Sequence, residues 1–258
     1  MNEMQTSKER TPLETGFKEK ALEVLRSLEY RRINGGEELE DIFRLRYDAY
    51  RRDGLIGENT SGMSSDNYDE SPNALIFGLY YDGELASSIR IHHATAAMPV
   101  CPTRSHFPGV LEPYFEQGAS FIDSSRFCAD ANFSQKIPNL PLFTTRLTAM
   151  ACFYYEADYM LSVIRPEHGA FYRRYFLMKQ WAKEQQVEWF AQPVDLYACH
   201  LQTIENAVFA RLPFFRSLPL ERELLFSPRT EHMDIIHVKP TADAAIRVNL
   251  TRQGQKAA

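Results

Sequence analysis

The sequence predicts an α+β fold, a mixed β-sheet flanked by helices, and three features carry that expectation. Ala74 to Tyr81 (ALIFGLYY) and Glu84 to His93 (ELASSIRIHH) are apolar runs joined by Asp82-Gly83, the signature of a β-hairpin. Residues 120 to 130 (SFIDSSRFCAD) and 158 to 164 (DYMLSVI) are further strand-like runs separated by a helical pattern. Upstream, two amphipathic helical segments bracket a short strand.

Taken in order, residues 1 to about 12 are polar and predict a disordered arm. Phe17, Ala21, Val24, Leu25 and Leu28 recur at helical spacing, so Pro12 to Leu28 forms a helix. Tyr30 to Ile33 is a strand stopped by Gly35-Gly36, and Glu37 to Arg52 is a second helix ended by Asp53-Gly54. The polar run GENTSGMSSDNYDESPN predicts a mobile loop before the hairpin. A Pro-rich connection over 94–119 holds one short helix near Glu112 to Glu116. After the 120–130 strand come a helix from about Pro141 to Glu156, the 158–164 strand, and a helix opened by Pro166, a residue suited to a first turn. Beyond Trp189 the pattern weakens, with strands expected in VEWFAQPVDLYACHL and in DIIHVK (Asp234 to Lys239). The expected division is a disordered arm and helix over 1–29, the main domain over 30–205 and a C-terminal extension over 206–258. That extension either caps the sheet or is loosely attached.

With 258 residues, 44% of them hydrophobic and 24% charged, the composition is that of a soluble globular protein. The net charge of −5 argues against nucleic acid as a partner, because neutralising phosphates calls for a basic excess. No run approaches the roughly 20 apolar residues of a membrane span. The N-terminus carries no apolar signal region, so a cytoplasmic protein is expected. Cys101, Cys128, Cys152 and Cys199 are too widely spaced for a zinc site and predict buried thiols, and no metal or cofactor is expected. Arg165, Arg173, Arg174, Lys179 and Lys183 form a basic set that is either a solvated face or a docking face for an acidic or phosphate-bearing carrier.

The chemistry centres on two constellations. Asp123 and Arg126 flank two serines inside an apolar strand, and Arg46 with Asp66 and Asp69 forms a second charged group upstream. Charges beside apolar strands and helix faces need partners or ligands to offset their desolvation.

These segments line up with one family. FRLRYDAY (Phe43 to Tyr50) resembles the first helix of the acyl-homoserine-lactone (autoinducer) synthases, with Arg46 and, four residues on, the aromatic Tyr50. Asp66 and Asp69 in SDNYD have the D-x-x-D spacing of the family's next motif. Arg90 stands where the family has an arginine, and DSSRF matches its E-x-S-R-F pattern, with Asp123 replacing the glutamate. The family belongs to the GNAT acyltransferases, so the resemblance implies a GNAT-like mixed sheet whose splayed central strands admit an acyl-thioester. The synthases' tryptophan after the first helix is replaced here by Leu55 and Ile56. RPEHGAFYRRYF (Arg165 to Phe176) looks like the sister group, the N-acyl amino acid synthases, which is the closer match.

The resemblance implies an N-acyltransferase that moves a fatty acyl group from an acyl carrier protein or coenzyme A thioester to the amine of an amino acid. The alternatives are a homoserine-lactone synthase using S-adenosylmethionine and a non-catalytic acyl- or lipid-binding protein. On this reading Asp123 is the base or the amine-orienting group, and Arg126 is the clamp on the loop carboxylates; a buried ion pair tying sheet to loop is the competing role. Arg46, Asp66, Asp69 and Arg90 hold the acceptor, with Arg90 binding its carboxylate or else pairing with Asp123. Phe127, His168 and Tyr172 contribute to acyl-donor binding, the last two at a helix start suited to a phosphopantetheine phosphate. His93 is a weaker candidate base. Phe143, Leu147 and Phe153 line an acyl channel or belong to the core. Because Asp123 and Arg126 are three residues apart, a regular strand would point them to opposite faces, and a bulge is needed to bring them together.

Overall fold

The computed structural model describes residues 12–187, 192–229 and 235–257. The expectation for residues 1–12 therefore falls almost wholly outside the described residues, as do Trp189 and Asp234. In chain order the elements are α1 (Pro12–Ser27), β1 (Leu28–Ile33), α2 (Gly36–Arg52), β2 (Ala74–Tyr81), β3 (Glu84–Ala94), α3 (Pro102–His106) and α4 (Glu112–Glu116). There follow β4 (Phe121–Ala129), α5 (Ala131–Lys136), α6 (Leu140–Tyr155), β5 (Tyr159–Ile164), α7 (Gly169–Phe176), β6 (Lys179–Gln185) and β7 (Val194–Cys199). The chain continues through α8 (Leu201–Arg211), α9 (Pro219–Phe226), β8 (His237–Val238) and α10 (Ala242–Ala257).

The strands form one mixed sheet in the order β6-β7-β5-β4-β3-β2-β1-β8. Neighbours are antiparallel throughout except β4 and β5, which are parallel and joined through α5 and α6. The architecture is the α+β mixed sheet that the hairpin and the later strand-helix-strand pattern predict. At the hairpin turn Asp82 and Gly83 both take positive φ (51° and 88°), the conformation that makes the D-G pair a strong hairpin signal.

Strand alternation sorts the two faces. Leu75, Phe77 and Leu79 of β2 and Ile89 and Ile91 of β3 turn toward α6 and join the main core. The residues between them, Ile76, Ser88, Arg90 and His92, turn to the face covered by α2, where Ile76 packs on Ile42. α3 and α4 cover that same face further along, with Phe107, Leu111 and Phe115 packed on Phe121 of β4 and Leu161 of β5. Phe143 and Leu147 of α6 are buried in the main core, and Phe153 packs on Phe209, so these side chains fill space rather than line a channel.

The described residues of the 206–258 segment that form α9 and the end of α8 pack on α6. Phe209, Phe214, Phe215 and Phe226 join the main core, and β8 extends the sheet beside β1. A buried ion pair binds this segment down. Arg146 of α6 donates to the carbonyls of Phe214 and Arg216 and to both carboxylate oxygens of Glu221 (2.5 and 2.9 Å). Glu221 also accepts from the backbone N–H and hydroxyl of Thr241. Both charged side chains are wholly buried, and their partners offset the desolvation.

Two local expectations are corrected. The 94–119 connection holds two short helices, because Pro102 starts α3 and an acid from another strand caps it. The polar 57–73 run is bonded in place, for reasons that belong to the site.

Candidate active site

The sheet opens where β4 and β5 meet. Their pairing runs only from Phe121↔Tyr159 to Ser124↔Ser162. Beyond it, β4 continues to Ala129 paired with β3 alone, while β5 continues to Ile164 paired with β7 alone. At the point of parting, Ser124 donates to the Leu161 carbonyl (3.0 Å) and lies 3.4 Å from the Ser162 hydroxyl. This is the splay of central strands that the resemblance implies.

The bulge is present as well. On β3, Ser88 and Arg90 are two apart, but their partners on β4, Cys128 and Ser125, are three apart. The extra residue falls at Arg126–Phe127, and Arg126 adopts φ 54°, in the left-handed region. The twist turns the Arg126 side chain toward the face that carries Asp123 and Arg90.

A charge cluster forms there from separate elements. Arg46 lies on the α2 face that buries Ile42 and Ala49, one turn from each, and is wholly buried against the sheet. Its Nη1 donates to both oxygens of Asp69 (2.8 and 2.9 Å). Arg90 of β3 donates through Nη1 to Asp66 and to Asp69 (2.9 Å for the latter), and through Nη2 to Asp66 (3.2 Å). Arg126 donates through Nε (2.9 Å) and Nη2 (2.5 Å) to Asp66. Burial alone would raise the Asp66 carboxyl, but Arg90 and Arg126 hold it well below the usual carboxylate range.

These bonds explain why the 57–73 run is not the mobile loop its polarity predicts. Asp66 caps a short 3-10 turn over Asn67–Glu70, and Asp69 accepts the Asp66 backbone N–H in return. Tyr68 donates to Ser105 of α3 (2.6 Å), and its carbonyl lies 3.2 Å from Nε2 of the buried His92. Burial pushes His92 down to about 4, so its ring is neutral. A polar composition marks a loop; it does not reveal that two of its acids face the buried Arg46 and Arg90 and the part-buried Arg126.

Asp123 is wholly buried on β4 and does not pair with Arg90, which the two loop acids engage instead. Its Oδ2 accepts the Thr103 N–H (2.9 Å) and its Oδ1 the Thr103 hydroxyl (2.8 Å), so it caps α3. Burial is the largest influence on its carboxyl and pushes it up. Tyr50, one turn beyond Arg46, has a buried hydroxyl bonded to Arg126 and to Cys128, and its ring lies 5.5 Å from the Arg126 guanidinium. Cys128 and the other three cysteines are buried free thiols.

These groups surround a cavity of about 620 Å³. Asp66, Arg90, Asp123, Ser125 and Arg126 line its polar side, with Tyr50, Tyr68 and His106 around them. Leu55, Ile56, Met63 and Val163 supply apolar wall. Arg46 and Asp69 support the lining from behind. Phe127, His168 and Tyr172 are not among the lining residues. Phe127 packs on the main core, His168 lies 3.1 Å from an Arg165 nitrogen, and the Tyr172 hydroxyl bonds Ser162 at the strand parting. His93, one residue from His92, alternates to the opposite face and stacks on Tyr155 at 4.1 Å, so it is not a base for this cavity. Thr103, His106 and Tyr68 were not singled out by sequence reasoning; they sit in runs with no distinguishing pattern.

Among the described residues no group of three or more His, Cys, Asp or Glu is placed to hold a metal, and no helix is long and apolar enough to cross a membrane.

A splayed mixed sheet with a polar cavity at the parting defines an acyltransferase fold. A family model described as "FeeM: N-acyl amino acid synthase FeeM" matches residues 41–200, and the chain belongs to that family. It is an N-acyltransferase. Among solved structures, FeeM, an N-acyl amino acid synthase from uncultured soil microbes, is similar at TM-score 0.58 and 20% identity over 71% of this chain and 96% of that one. The acyl-homoserine-lactone synthase LasI is similar at TM-score 0.52 and 15% identity, over 66% of this chain and 87% of that one. The CoA-dependent acyl-homoserine lactone synthase BjaI is similar at TM-score 0.50 and 15% identity, over 81% and 91%. At these identities the likeness is one of fold. No curated protein matches the chain.

Proposed function

We propose that the protein transfers a fatty acyl group from an acyl carrier protein or coenzyme A thioester to the amine of an amino acid, in the cytoplasm. The observation that carries this reading is the parting of β4 from β5 beside a cavity into which Asp123 and Arg126 both face. A thioester lying in the parting would bring its carbonyl to the bulge, where the break in the ladder frees backbone N–H groups for an oxyanion. The acceptor would occupy the cavity beneath the Asp66–Asp69 turn. Holding the two reactants in contact is worth about 7 kcal/mol or more of the barrier.

Roles follow from the bonding. Asp123, fixed by Thr103, orients the acceptor ammonium. Arg126, Arg90 and Arg46 hold the turn that closes over the acceptor. Arg90 and Arg126 line the cavity beside Asp66, and their forked guanidiniums suit a carboxylate on the acceptor. Phe127, next to the bulge, and Tyr172, bonded at the parting, contribute to the donor side, with His168 at the start of α7.

Incubation with acyl-carrier and coenzyme A thioesters and an amino-acid mixture, followed by mass spectrometry, tests this. An acylated amino acid is expected. A lactone formed with S-adenosylmethionine, or thioester binding without turnover, would overturn it.

A further inference from the structure

Asp66 and Asp123 are the carboxylates among the described lining residues of the cavity, and they are partnered in opposite ways. Asp66 is bonded to the guanidiniums of Arg90 and Arg126. Asp123 takes its bonds from neutral groups. The Thr103 N–H donates to Oδ2 (2.9 Å), the Thr103 hydroxyl donates to Oδ1 (2.8 Å), and the Cys101 thiol donates as well. Asp123 and Thr103 are both wholly buried, and Cys101 is nearly so.

A buried carboxylate with no cation bonded to it is costly to keep charged. Burial, the largest influence on Asp123, favours its protonation, while Thr103, Cys101 and the more distant charge of Arg90 favour the ionised form. The other ionisable groups on this face come from three elements. His92, its cross-strand partner on β3, is neutral. Arg126 of β4, Asp66 of the loop and His106 of α3 line the same cavity. The two Thr103 bonds differ in origin. A backbone N–H is present for any residue there except proline, whereas the hydroxyl bond to Oδ1 depends on the side chain.

Resting on the proposed acyl transfer in this cavity, we propose that Thr103 is a positioning residue whose hydroxyl keeps Asp123 ionised and fixed, so that the acceptor ammonium becomes the cation this carboxylate lacks. The two acids then divide the work: Asp66 holds the arginines, and Asp123 holds the substrate. Acid that protonates Asp123 removes the charge that holds the ammonium, and acceptor binding weakens with it. Loss of the Thr103 hydroxyl moves that weakening to higher pH, because the ionised form loses a donor.

The test compares wild-type protein, Thr103→Val and Thr103→Ser between pH 4 and 9, with thermal melts to show that each variant folds. Valine matches threonine in shape and keeps the backbone bond; serine keeps the hydroxyl. One readout is the titration of the Asp123 carboxyl by carbon NMR, its resonance assigned by its absence from Asp123→Asn. The other is KM for the acceptor, with KM for the thioester as the control. A hydrogen bond to a charged group is worth about one to two pH units, so the Thr103→Val midpoint should rise by that amount. Its acceptor KM should begin to climb at correspondingly higher pH, with the thioester KM unchanged, and Thr103→Ser should return both readouts toward wild type. A folded Thr103→Val with the wild-type midpoint would overturn the assignment and leave residue 103 a purely structural part of α3. So would a wild-type acceptor KM that stays flat through the NMR midpoint, which needs no variant at position 103. Absence of any acylated amino acid from the wild-type protein would instead refute the parent reaction, and the NMR titration reads Asp123 independently of turnover.

Discussion

Replacing Asp66 by Asn tests whether the charge cluster holds the site together. Asp66 accepts from Arg90, which is 1% exposed, and from Arg126, which is 18% exposed, and is itself 17% exposed. Asn keeps the shape and the cap to Tyr68 N–H but removes the charge shared by two guanidiniums. Breaking a buried pair costs about 3–5 kcal/mol. Partial exposure of Asp66 and Arg126 and the retained amide oxygen reduce this to about 2–3 kcal/mol. For a chain of this size that lowers Tm by roughly 4–12 °C. The assay is thermal and urea unfolding of both proteins between pH 2 and 8. The folded-state affinity of Asp66 for protons lies below that of the unfolded chain, near 3.9, so its stabilisation is fully present above about pH 5. That stabilisation is lost as pH falls through the depressed folded value, and the gap between the two proteins should narrow in acid. Equal stability at pH 7.5, or a gap that widens in acid, would refute the reasoning. Acyl transfer should fall with stability in this variant, because the turn over the cavity loses its anchor.

Two other substitutions probe separate parts of the molecule. Asp123→Asn should lower turnover on the order of a hundredfold while leaving thioester binding intact, since the amide cannot hold an ammonium by charge; wild-type turnover would restrict Asp123 to capping α3. Glu221→Gln should cost about 3 kcal/mol or more in urea unfolding, because Arg146 is left charged and buried far from the cavity. Its kcat per folded molecule should not change, and a stable variant with lost activity would contradict the purely structural role of that pair.

The parts of the fold carried by local pattern were legible in the sequence. The hairpin showed in its D-G turn and the helices before it in their apolar spacing. The need for a bulge followed from the odd separation of Asp123 and Arg126. The resemblance supplied which charges belong together, and the structure brings Arg46, Asp66, Asp69, Arg90 and Arg126 into direct contact. What stayed hidden depends on contacts between distant segments. β6 is an edge strand, largely polar, and has no strand-like run. α3 is five residues long and is capped by Asp123 from another strand, so no local signal marks it. Thr103 bonds to Asp123 across 20 residues of sequence, a contact that no local pattern marks. Alternation decided between the neighbours His92 and His93, placing one beneath the Asp66–Asp69 turn and the other on the opposite face.

The central claim is that an acyl thioester in the parting of β4 and β5 meets an amine in the adjoining cavity. A crystal structure with an N-acyl amino acid product bound tests it most directly. The amide should lie beside Asp123 and the Arg126 bulge, the carboxylate should lie under the Asp66–Asp69 turn toward the arginines, and the acyl chain should run into the space between β4 and β5. A product bound elsewhere, with this cavity holding only solvent, would contradict the account.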